Sequence, residues 1–284
     1  MQLSKQELPL MARQIRRDIV RMINAAHSGH TGGSLGTADY FSALFFGGVL
    51  RYDPSKFTMS GQGEDMFFLS NGHIAPVLYA TMARAGYFPL AELGTLRQLH
   101  SRLQGHPSIA HNLPGIRIAS GSLGQGLSNA VGAAVGKKMD GCDKLVYVLM
   151  GDGELEEGQI WEAAMFAGAK KKKKHISTVD PNGLQIDGST DEVMNLLNIQ
   201  DKFRSFGWEI LSVDGHNINA LLDVFEKARA LSGKGKPVFI DMKTEMGHGV
   251  DFMTNLAKWH GTAPSDEQTA EALKQLEETP FGDY

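Results

Sequence analysis

Cysteine is almost absent from this chain of 284 residues, and its single occurrence, Cys142, excludes a disulfide within the chain. One thiol beside 13 methionines is typical of a reducing compartment, so we expect a cytoplasmic location. The first residues lack the pattern of a secretion signal, in which a positively charged segment precedes an apolar one, and Glu7 is unusual in a transit peptide. We therefore expect no targeting segment.

Long hydrophobic runs and an excess of one charge are missing too. The most apolar window, residues 40–50, is interrupted by Gly47 and Gly48 and is much shorter than the roughly 20 residues that cross a bilayer. Lysine and arginine total 28 against 32 acidic residues, a formal net charge of −4. Neither a nucleic acid nor a membrane is therefore an expected partner.

Two common phosphate-binding motifs do not occur. The chain has no Gly-x-x-x-x-Gly-Lys-Ser/Thr, and glycines 121, 124 and 126 stand in the wrong order for Gly-x-Gly-x-x-Gly, which disfavours a nucleoside triphosphate or a dinucleotide. Glycine itself is abundant, with 33 residues against a usual level of about 7%. Its clusters predict loops where the backbone approaches a ligand closely, at 29–36, 121–136, 151–158 and 183–188.

Strand and helix patterns alternate along most of the chain. Strands are predicted at 66–70, from 116 towards Gly121, and at 144–150, 176–179, 209–213 and 238–242. Helices are predicted at 7–26, from about 38, and at 127–138, 157–169, 193–206 and 220–231, with a loop at 27–36. This alternation predicts an α/β fold with three layers, α/β/α, around a mainly parallel sheet.

We expect one domain over residues 1–284, because neither an internal repeat nor a linker rich in proline or serine divides the chain. Residues 265–284 are predicted to form a charged C-terminal helix and a loose end. The run of lysines from Lys170 to Lys174 is interpreted as a solvated helix end, where positive charge interacts favourably with the helix dipole. It receives no functional role.

Two polar residues follow successive predicted strands. Asp152 comes directly after one strand and Asn182 follows the next. Because parallel strands joined by a right-handed crossover end at the same edge of the sheet, the two side chains can meet there. Carboxylate and amide oxygens suit Mg²⁺ or Ca²⁺, and Mg²⁺ commonly shares its ligands with a phosphate group. The alternative is that Asp152 caps a helix and Asn182 belongs to a turn.

The segments around these two residues resemble a known motif. Gly151-Asp-Gly-Glu-Leu-Glu-Glu-Gly-Gln-Ile-Trp-Glu-Ala and the later Val179-Asp-Pro-Asn-Gly-Leu-Gln-Ile-Asp-Gly are similar to the thiamine diphosphate motif in its transketolase form. Further segments follow the order of the transketolase family: Ser28-Gly-His30, Ser70-Asn-Gly-His73, Gly105-His-Pro107, Gly121-Ser-Leu-Gly-Gln-Gly126, Lys243-Thr-Glu-Met-Gly-His-Gly249 and His260-Gly261.

The resemblance implies the thiamine diphosphate-binding fold, with thiamine diphosphate and Mg²⁺ as cofactors and Ca²⁺ or Mn²⁺ as substitutes for the metal. It implies that Asp152, Asn182 and the carbonyl of Leu184 bind the metal. Glu157 would sit behind the metal site. Further implied contacts of the cofactor are Gly153 at the diphosphate, Asn182, His73, His260, and Gly121, Ser122 and Leu123 in the glycine-rich loop.

Several histidines stand beside glycine in loops, where function is common. Imidazole can donate or accept a proton near neutral pH, which suits a sugar carbonyl or hydroxyl. The resemblance implies that His30, His106 and His260 contact the donor sugar and move protons. His73 and His260 would also lie near the diphosphate and the thiazolium ring. His248 receives no defined role.

The implied reaction is the transfer of a two-carbon ketol unit from a ketose phosphate to an aldose. In this family a glutamate in a second, pyrimidine-binding domain activates the cofactor, and we expect that domain to be absent from residues 1–284. The chain then resembles the N-terminal, α-type subunit of a split transketolase, a transferase that is active only with a separate C-terminal subunit. An α₂β₂ assembly is expected, whereas the donor, a pentose phosphate or a sulfonated ketose, stays open.

Alternatives from other classes also fit part of the pattern. Subunits of a deoxyxylulose-phosphate synthase or of a 2-oxo acid dehydrogenase would share Asp152 and Asn182, but we do not expect their other motifs to match the histidines in order. A non-catalytic cofactor-binding module and a Mg²⁺-dependent phosphohydrolase are two further alternatives. Two positions depart from the family pattern: Pro181 removes a backbone donor, and Ser122 stands where many members have proline.

Overall fold

The computed structural model describes residues 1–170 and 174–284, so three lysines of the run at 170–174 lie outside the described residues. Its strands are β1 (Met66–Leu69), β2 (Val146–Gly151), β3 (His175–Asp180), β4 (Leu184–Gln185), β5 (Gly188–Ser189), β6 (Glu209–Asp214) and β7 (Val238–Lys243). Five of them form one sheet in the order β1-β2-β3-β7-β6, with every neighbouring pair parallel. The short strands β4 and β5 form a separate antiparallel hairpin.

Helices cover both faces of the sheet. They are α1 (Leu8–Ala26), α2 (Thr31–Gly36), α3 (Ala38–Phe46), α4 (Ala75–Arg84), α5 (Gln125–Met139), α6 (Gly158–Ala169), α7 (Thr190–Met194), α8 (Ile199–Ser205), α9 (Ile218–Leu231) and α10 (Asp266–Gln275). Because side chains alternate along a strand, Phe67 and Leu69 of β1 pack with α1, α3, α4 and α9, whereas Met66 and Phe68 pack with α5 and α6. The predicted three-layer α/β/α fold is confirmed.

The helix α1 is the longest in the described part of the chain, with 19 residues. Pro9 lies in its first turn, where the fixed φ of proline suits a helix start. The helix ends at Ala26, and the next residue, His27, caps it with a left-handed backbone at φ 46°. Met11 and Ile15 are buried in the core, although basic residues stand between the apolar ones. None of the described helices is both long and apolar enough to cross a bilayer.

Three local predictions were wrong. No strand forms at residues 116–121, because this segment pairs with no strand among the described residues. The single helix predicted over 193–206 is divided into α7 and α8, because Leu197 between them adopts a left-handed φ of 51°. The predicted loop at 27–36 contains the short helix α2.

The C-terminal residues are tied down and are not a loose end. The helix α10 begins with a capping box, in which Ser265 and Gln268 bond each other's backbone N–H. Beyond α10, Asp283 accepts hydrogen bonds of 2.9 and 2.7 Å from the guanidinium of Arg17 on α1. The Arg17 side chain is only 6% exposed, so a buried cation needs this carboxylate. The tail therefore completes the packing of α1.

The strand ends bring separate chain segments to one edge of the sheet. Asn71 and His73 follow β1, Asp152 follows β2, and Asn182 follows β3. Because β1, β2 and β3 are parallel neighbours, their carboxyl ends lie side by side. Ligands of open α/β sheets bind at this edge.

Candidate functional site

A cavity of about 280 Å³ opens at the carboxyl edge of the sheet. Its walls come from the segments after β1, β2 and β3, from the loop before α5, and from the β4–β5 hairpin. Most of the site residues expected from the sequence line this cavity, namely His30, His73, His106, Gly121, Leu123, Asp152, Gly153, Asn182, Leu184 and His260.

Asp152 and Asn182 are neighbours in the cavity wall, as their positions after adjacent strands predicted. Asp152 is 5% exposed, and its carboxylate accepts hydrogen bonds from the backbone N–H groups of Gly153 (2.9 Å) and Gly183 (2.7 Å). The Asn182 amide donates to Asp180 (3.2 Å), and its Oδ1 accepts from the Leu184 N–H (3.0 Å). Their oxygens therefore share one small region of the wall.

This region carries buried negative charge. Burial, followed by the nearby charge of Asp180, raises the pKa of Asp152 to about 7, and burial raises the pKa of Asp180 to about 6. Among the described residues, no lysine or arginine forms an ion pair with either carboxylate. A divalent cation would neutralise them, and the available ligands are the hard oxygens that Mg²⁺ prefers. The residues present fit such an ion.

Two glycines permit close approach in the wall. A Cβ on Gly153 would lie 2.9 Å from Oε1 of Gln185 in the hairpin. Gly121 has a φ of +125°, and a Cβ there would lie 2.6 Å from Cδ2 of His106. At Gly121 the positive φ and the close imidazole ring both exclude a larger side chain, whereas at Gly153 the flexible end of Gln185 can move away. Gly121 is therefore needed for the observed shape.

Four histidines from four separate segments meet in the cavity. The ring centroid of His30 lies 5.1 Å from that of His73, 6.2 Å from His106 and 5.5 Å from His260. Burial lowers the pKa of His30 to about 4 and of His73 to about 3, and the neighbouring histidines, with Arg97 at His30, add smaller contributions. Burial also lowers the pKa of His106 and His260. All four imidazoles are therefore neutral near pH 7.

Two buried polar atoms in the wall lack a protein partner within the described residues. They are Nδ1 of His30 and Oδ1 of Asn71. Buried polar groups are almost always hydrogen-bonded in native proteins, so each exception needs an explanation. A polar ligand in the cavity would supply the missing partners.

Ser122 and Glu157 are not brought to the cavity. Both are exposed, and neither lines its wall. The short helical turn that follows Asp152 directs Glu154 inward instead, where it is 2% exposed, and leaves Glu157 on the surface just before α6. The role of Glu157 behind the metal site stays a prediction. Glu154 was not among the residues predicted from the sequence, because no spacing rule distinguishes it from its acidic neighbours.

His248 lies outside the cavity, in a cluster that the sequence did not reveal. Its ring stacks on His216 with centroids 3.6 Å apart. His216 accepts a hydrogen bond of 2.7 Å from the Glu245 N–H, and its Nδ1 lies 3.2 Å from Asp39. Asp39 already pairs with Arg16 at 2.5 Å, so the cluster is internally satisfied and holds the loop after β7 in place.

Comparisons with known proteins show the family of this chain. A family model described as "Transketolase, thiamine diphosphate binding domain" matches residues 9–281. The 6-deoxy-6-sulfo-D-fructose transketolase subunit SqwG of Clostridium sp. (strain MSTE9) is 38% identical, over 97% of this chain and 98% of that protein. An apulose-4-phosphate transketolase subunit of Phocaeicola vulgatus is 37% identical, over 95% and 94%. The transketolase structure from Campylobacter jejuni has a TM-score of 0.89 at 32% identity, and the match covers 99% of this chain and 44% of that one.

The lengths of these relatives separate two kinds of transketolase. Proteins named as subunits match this chain over nearly their whole length. Mouse transketolase, at 37% identity, matches over 95% of this chain but only 42% of its own length. The predicted resemblance to an N-terminal subunit with a thiamine diphosphate-binding fold is thereby confirmed. This chain belongs to the transketolase family of transferases, as a subunit that carries the thiamine diphosphate-binding domain.

Proposed function

We propose that this chain, together with a separate subunit that carries a pyrimidine-binding domain, transfers a two-carbon ketol unit from a ketose or ketose phosphate to an aldose. The observation that carries this proposal is the cavity at the carboxyl edge. There, two buried carboxylates that form no ion pair with a lysine or arginine of the described residues face four neutral imidazoles. The first group suits a metal-bound diphosphate, and the second suits the hydroxyls and carbonyl of a sugar.

In this proposal, Mg²⁺ is held by the Asp152 carboxylate, the Asn182 side-chain oxygen and the Leu184 carbonyl, and Ca²⁺ or Mn²⁺ can substitute. Gly153 leaves room for the diphosphate. His73, Gly121 and Leu123 complete the cofactor contacts of the wall. Thiamine diphosphate, when bound, supplies the nucleophilic carbon and the electron sink that the cleavage of a ketose requires.

The histidines bind and orient the donor. A neutral imidazole offers one N–H donor and one acceptor nitrogen, so it can hold a hydroxyl and also move its proton. We assign this role to His30, His106 and His260, and we place His260 beside the cofactor because its ring centroid is 5.2 Å from that of His73. The unpartnered Nδ1 of His30 is the clearest available acceptor or donor for a substrate oxygen.

A partner subunit would complete the site, in an α₂β₂ assembly. The exposed side chains of Met139 on α5 and Met165 on α6 form apolar surface that such a partner could cover. A Cβ on Gly124 would lie 2.8 Å from the Cβ of Glu157, so Glu157 adjoins the glycine-rich loop. Glu157 and Ser122 would then reach the cofactor only where the partner closes over that loop. The single cysteine supports a location in the reducing cytoplasm.

The experiment is a transfer assay on the purified chain, on the partner encoded or co-purified with it, and on their mixture. Each sample receives thiamine diphosphate, Mg²⁺ and a panel of ketose donors that includes pentose phosphates and a sulfonated ketose. Activity that appears only in the mixture is the expected result. Transfer by either protein on its own, or by no combination, would sink the proposal, and the preferred donor identifies the substrate.

A further inference from the structure

The buried carboxyl group of Glu154 connects three segments of the cavity wall. One oxygen, Oε1, accepts a hydrogen bond of 2.8 Å from the backbone N–H of Gly124 and another from the hydroxyl of Ser70. The other oxygen, Oε2, accepts a bond of 3.1 Å from the backbone N–H of Gly151. A single side chain therefore joins the ends of β1 and β2 to the loop that precedes α5.

The Ser70 hydroxyl extends this network by one step. Its Oγ accepts a hydrogen bond of 3.1 Å from the Gly126 N–H, in the first turn of α5. A Cβ on Gly126 would lie 2.3 Å from the same Oγ, so glycine is required for α5 to approach β1 this closely. Because α5 lies so close to β1, the backbone N–H groups of Gly124 and Gly126 are buried. Glu154 accepts the hydrogen bond of the first, and Ser70 accepts that of the second.

Each of the three connected segments carries residues of the proposed cofactor site. The segment after β1 carries His73, the loop before α5 carries Gly121 and Leu123, and the segment after β2 carries Asp152 and Gly153. A shift of one segment against another would change the cavity at the place where a diphosphate is expected. The spacing of the three segments is therefore a property on which cofactor affinity depends.

Glutamine cannot replace Glu154 in this network. Each of the two side-chain oxygens faces a backbone N–H donor, so the NH₂ group of glutamine would meet a donor in either orientation. Aspartate is one methylene shorter and would fall short of at least one partner. The geometry thus requires a carboxyl group on a side chain of this length.

We propose that Glu154 is a positioning residue for cofactor binding, acting through Ser70, Gly124 and Gly151. This inference rests on the proposed function, because it assumes that the cavity binds thiamine diphosphate. Glu154 fixes the three segments before the cofactor arrives, so that little binding free energy is spent on ordering them. Its loss affects the affinity for the cofactor more than the turnover of the loaded enzyme.

The test uses the complete two-subunit complex with saturating Mg²⁺ and compares E154Q, S70A and the double variant with wild type. Glu226→Gln, on an exposed position of α9, is the matched control. We expect E154Q to raise the Kd for thiamine diphosphate about tenfold or more, as for a buried hydrogen bond that is lost with its partners unpaired. At saturating cofactor we expect the kcat of E154Q to stay within about twofold of wild type, because bound cofactor holds the three segments in place. S70A alone has a smaller effect, and adding S70A to E154Q raises the Kd little further, because both act in one network.

The outcomes separate this inference from the proposed function. A wild-type complex that does not bind thiamine diphosphate contradicts the proposed function. Normal binding by wild type and E154Q alike overturns the positioning role. Loss of kcat at saturating cofactor with an unchanged Kd also overturns it. If E154Q does not fold, S70A decides, since an unchanged Kd in that variant contradicts the network.

Discussion

Replacing Asp152 by asparagine should make the metal-free chain more stable above pH 7 while weakening its response to Mg²⁺ and thiamine diphosphate. Asp152 is buried beside Asp180 and has a pKa of about 7, against an unperturbed value of 3.8. The unfolded chain releases the proton of this group near pH 4, whereas the folded chain keeps it until about pH 7. Stability is lost as the pH rises through that window, and D152N removes this loss.

The magnitude follows from the pKa. A rise of about three units at about 1.4 kcal/mol per unit gives a penalty of roughly 4 kcal/mol above pH 7 in the absence of metal. Asparagine keeps the shape but cannot accept hydrogen bonds from both Gly153 and Gly183, which costs about 1–3 kcal/mol. The expected net gain in the free energy of unfolding is about 1–3 kcal/mol at pH 8, and its sign reverses between about pH 4.5 and 6, where the electrostatic penalty falls below the hydrogen-bond cost.

The assay is urea unfolding in EDTA across pH 4–8 for wild type, D152N and the control Asp223→Asn, which changes an exposed aspartate of α9. Stability curves of wild type and D152N that cross within this range support the reasoning. In the two-subunit complex, cofactor at 100 times its Kd should stabilise wild type by about 2.7 kcal/mol and D152N by much less. A variant less stable than wild type at every pH, or equally stabilised by Mg²⁺ and cofactor, would refute it.

Three further predictions concern other parts of the molecule. Because burial holds the pKa of His30 near 4, the folded chain resists protonation between about pH 6.5 and 4, so stability falls as the pH decreases there. Over that interval the free energy of unfolding of H30N should fall by about 2 kcal/mol less than that of wild type, after allowance for partial exposure. An equal fall in both proteins, measured by urea unfolding, would contradict the burial argument. Gly121→Ala should raise the Kd for thiamine diphosphate about tenfold, because alanine is strained at a φ of +125° and its Cβ would meet the ring of His106. Gly136→Ala, with open space around it, should not raise the Kd, and equal calorimetric affinities for the two variants would contradict the close-approach argument. Asp283→Ala should destabilise the chain by about 2 kcal/mol through loss of the bonds to Arg17, and an unchanged melting temperature would show that the tail does not hold α1.

The central sheet was predictable because its strands are short apolar runs that end in glycine and polar residues. The strand at 144–150 leads to Gly151-Asp152-Gly153, and β3 leads to Asn182, so topology rules alone placed these two side chains at one edge. The left-handed Leu197 that separates α7 from α8 was not predicted, because leucine rarely adopts a positive φ. Its N–H donates a hydrogen bond of 2.6 Å to Oδ1 of Asn195, a local turn that competes with the helix. The strand expected from residue 116 does not form, because a strand needs a neighbouring strand to pair with, and the local sequence does not show whether one is available.

The candidate site was only partly accessible from the sequence. His30, His73, His106 and His260 come from four distant segments, and no spacing rule brings them together, so their grouping depended on the family resemblance. The burial of Glu154, and the exposure of Glu157, depend on one helical turn after Asp152. A turn of this kind changes which side chain points inward without leaving a pattern in the sequence.

The most direct test of the proposed site is the position of the metal. Crystals of the two-subunit complex grown with thiamine diphosphate and Mn²⁺ would show the ion by its anomalous scattering. We predict a peak in contact with the Asp152 carboxylate, the Asn182 oxygen and the Leu184 carbonyl, with the diphosphate over Gly153. A peak elsewhere, or a diphosphate bound away from the segment after β2, would contradict the account.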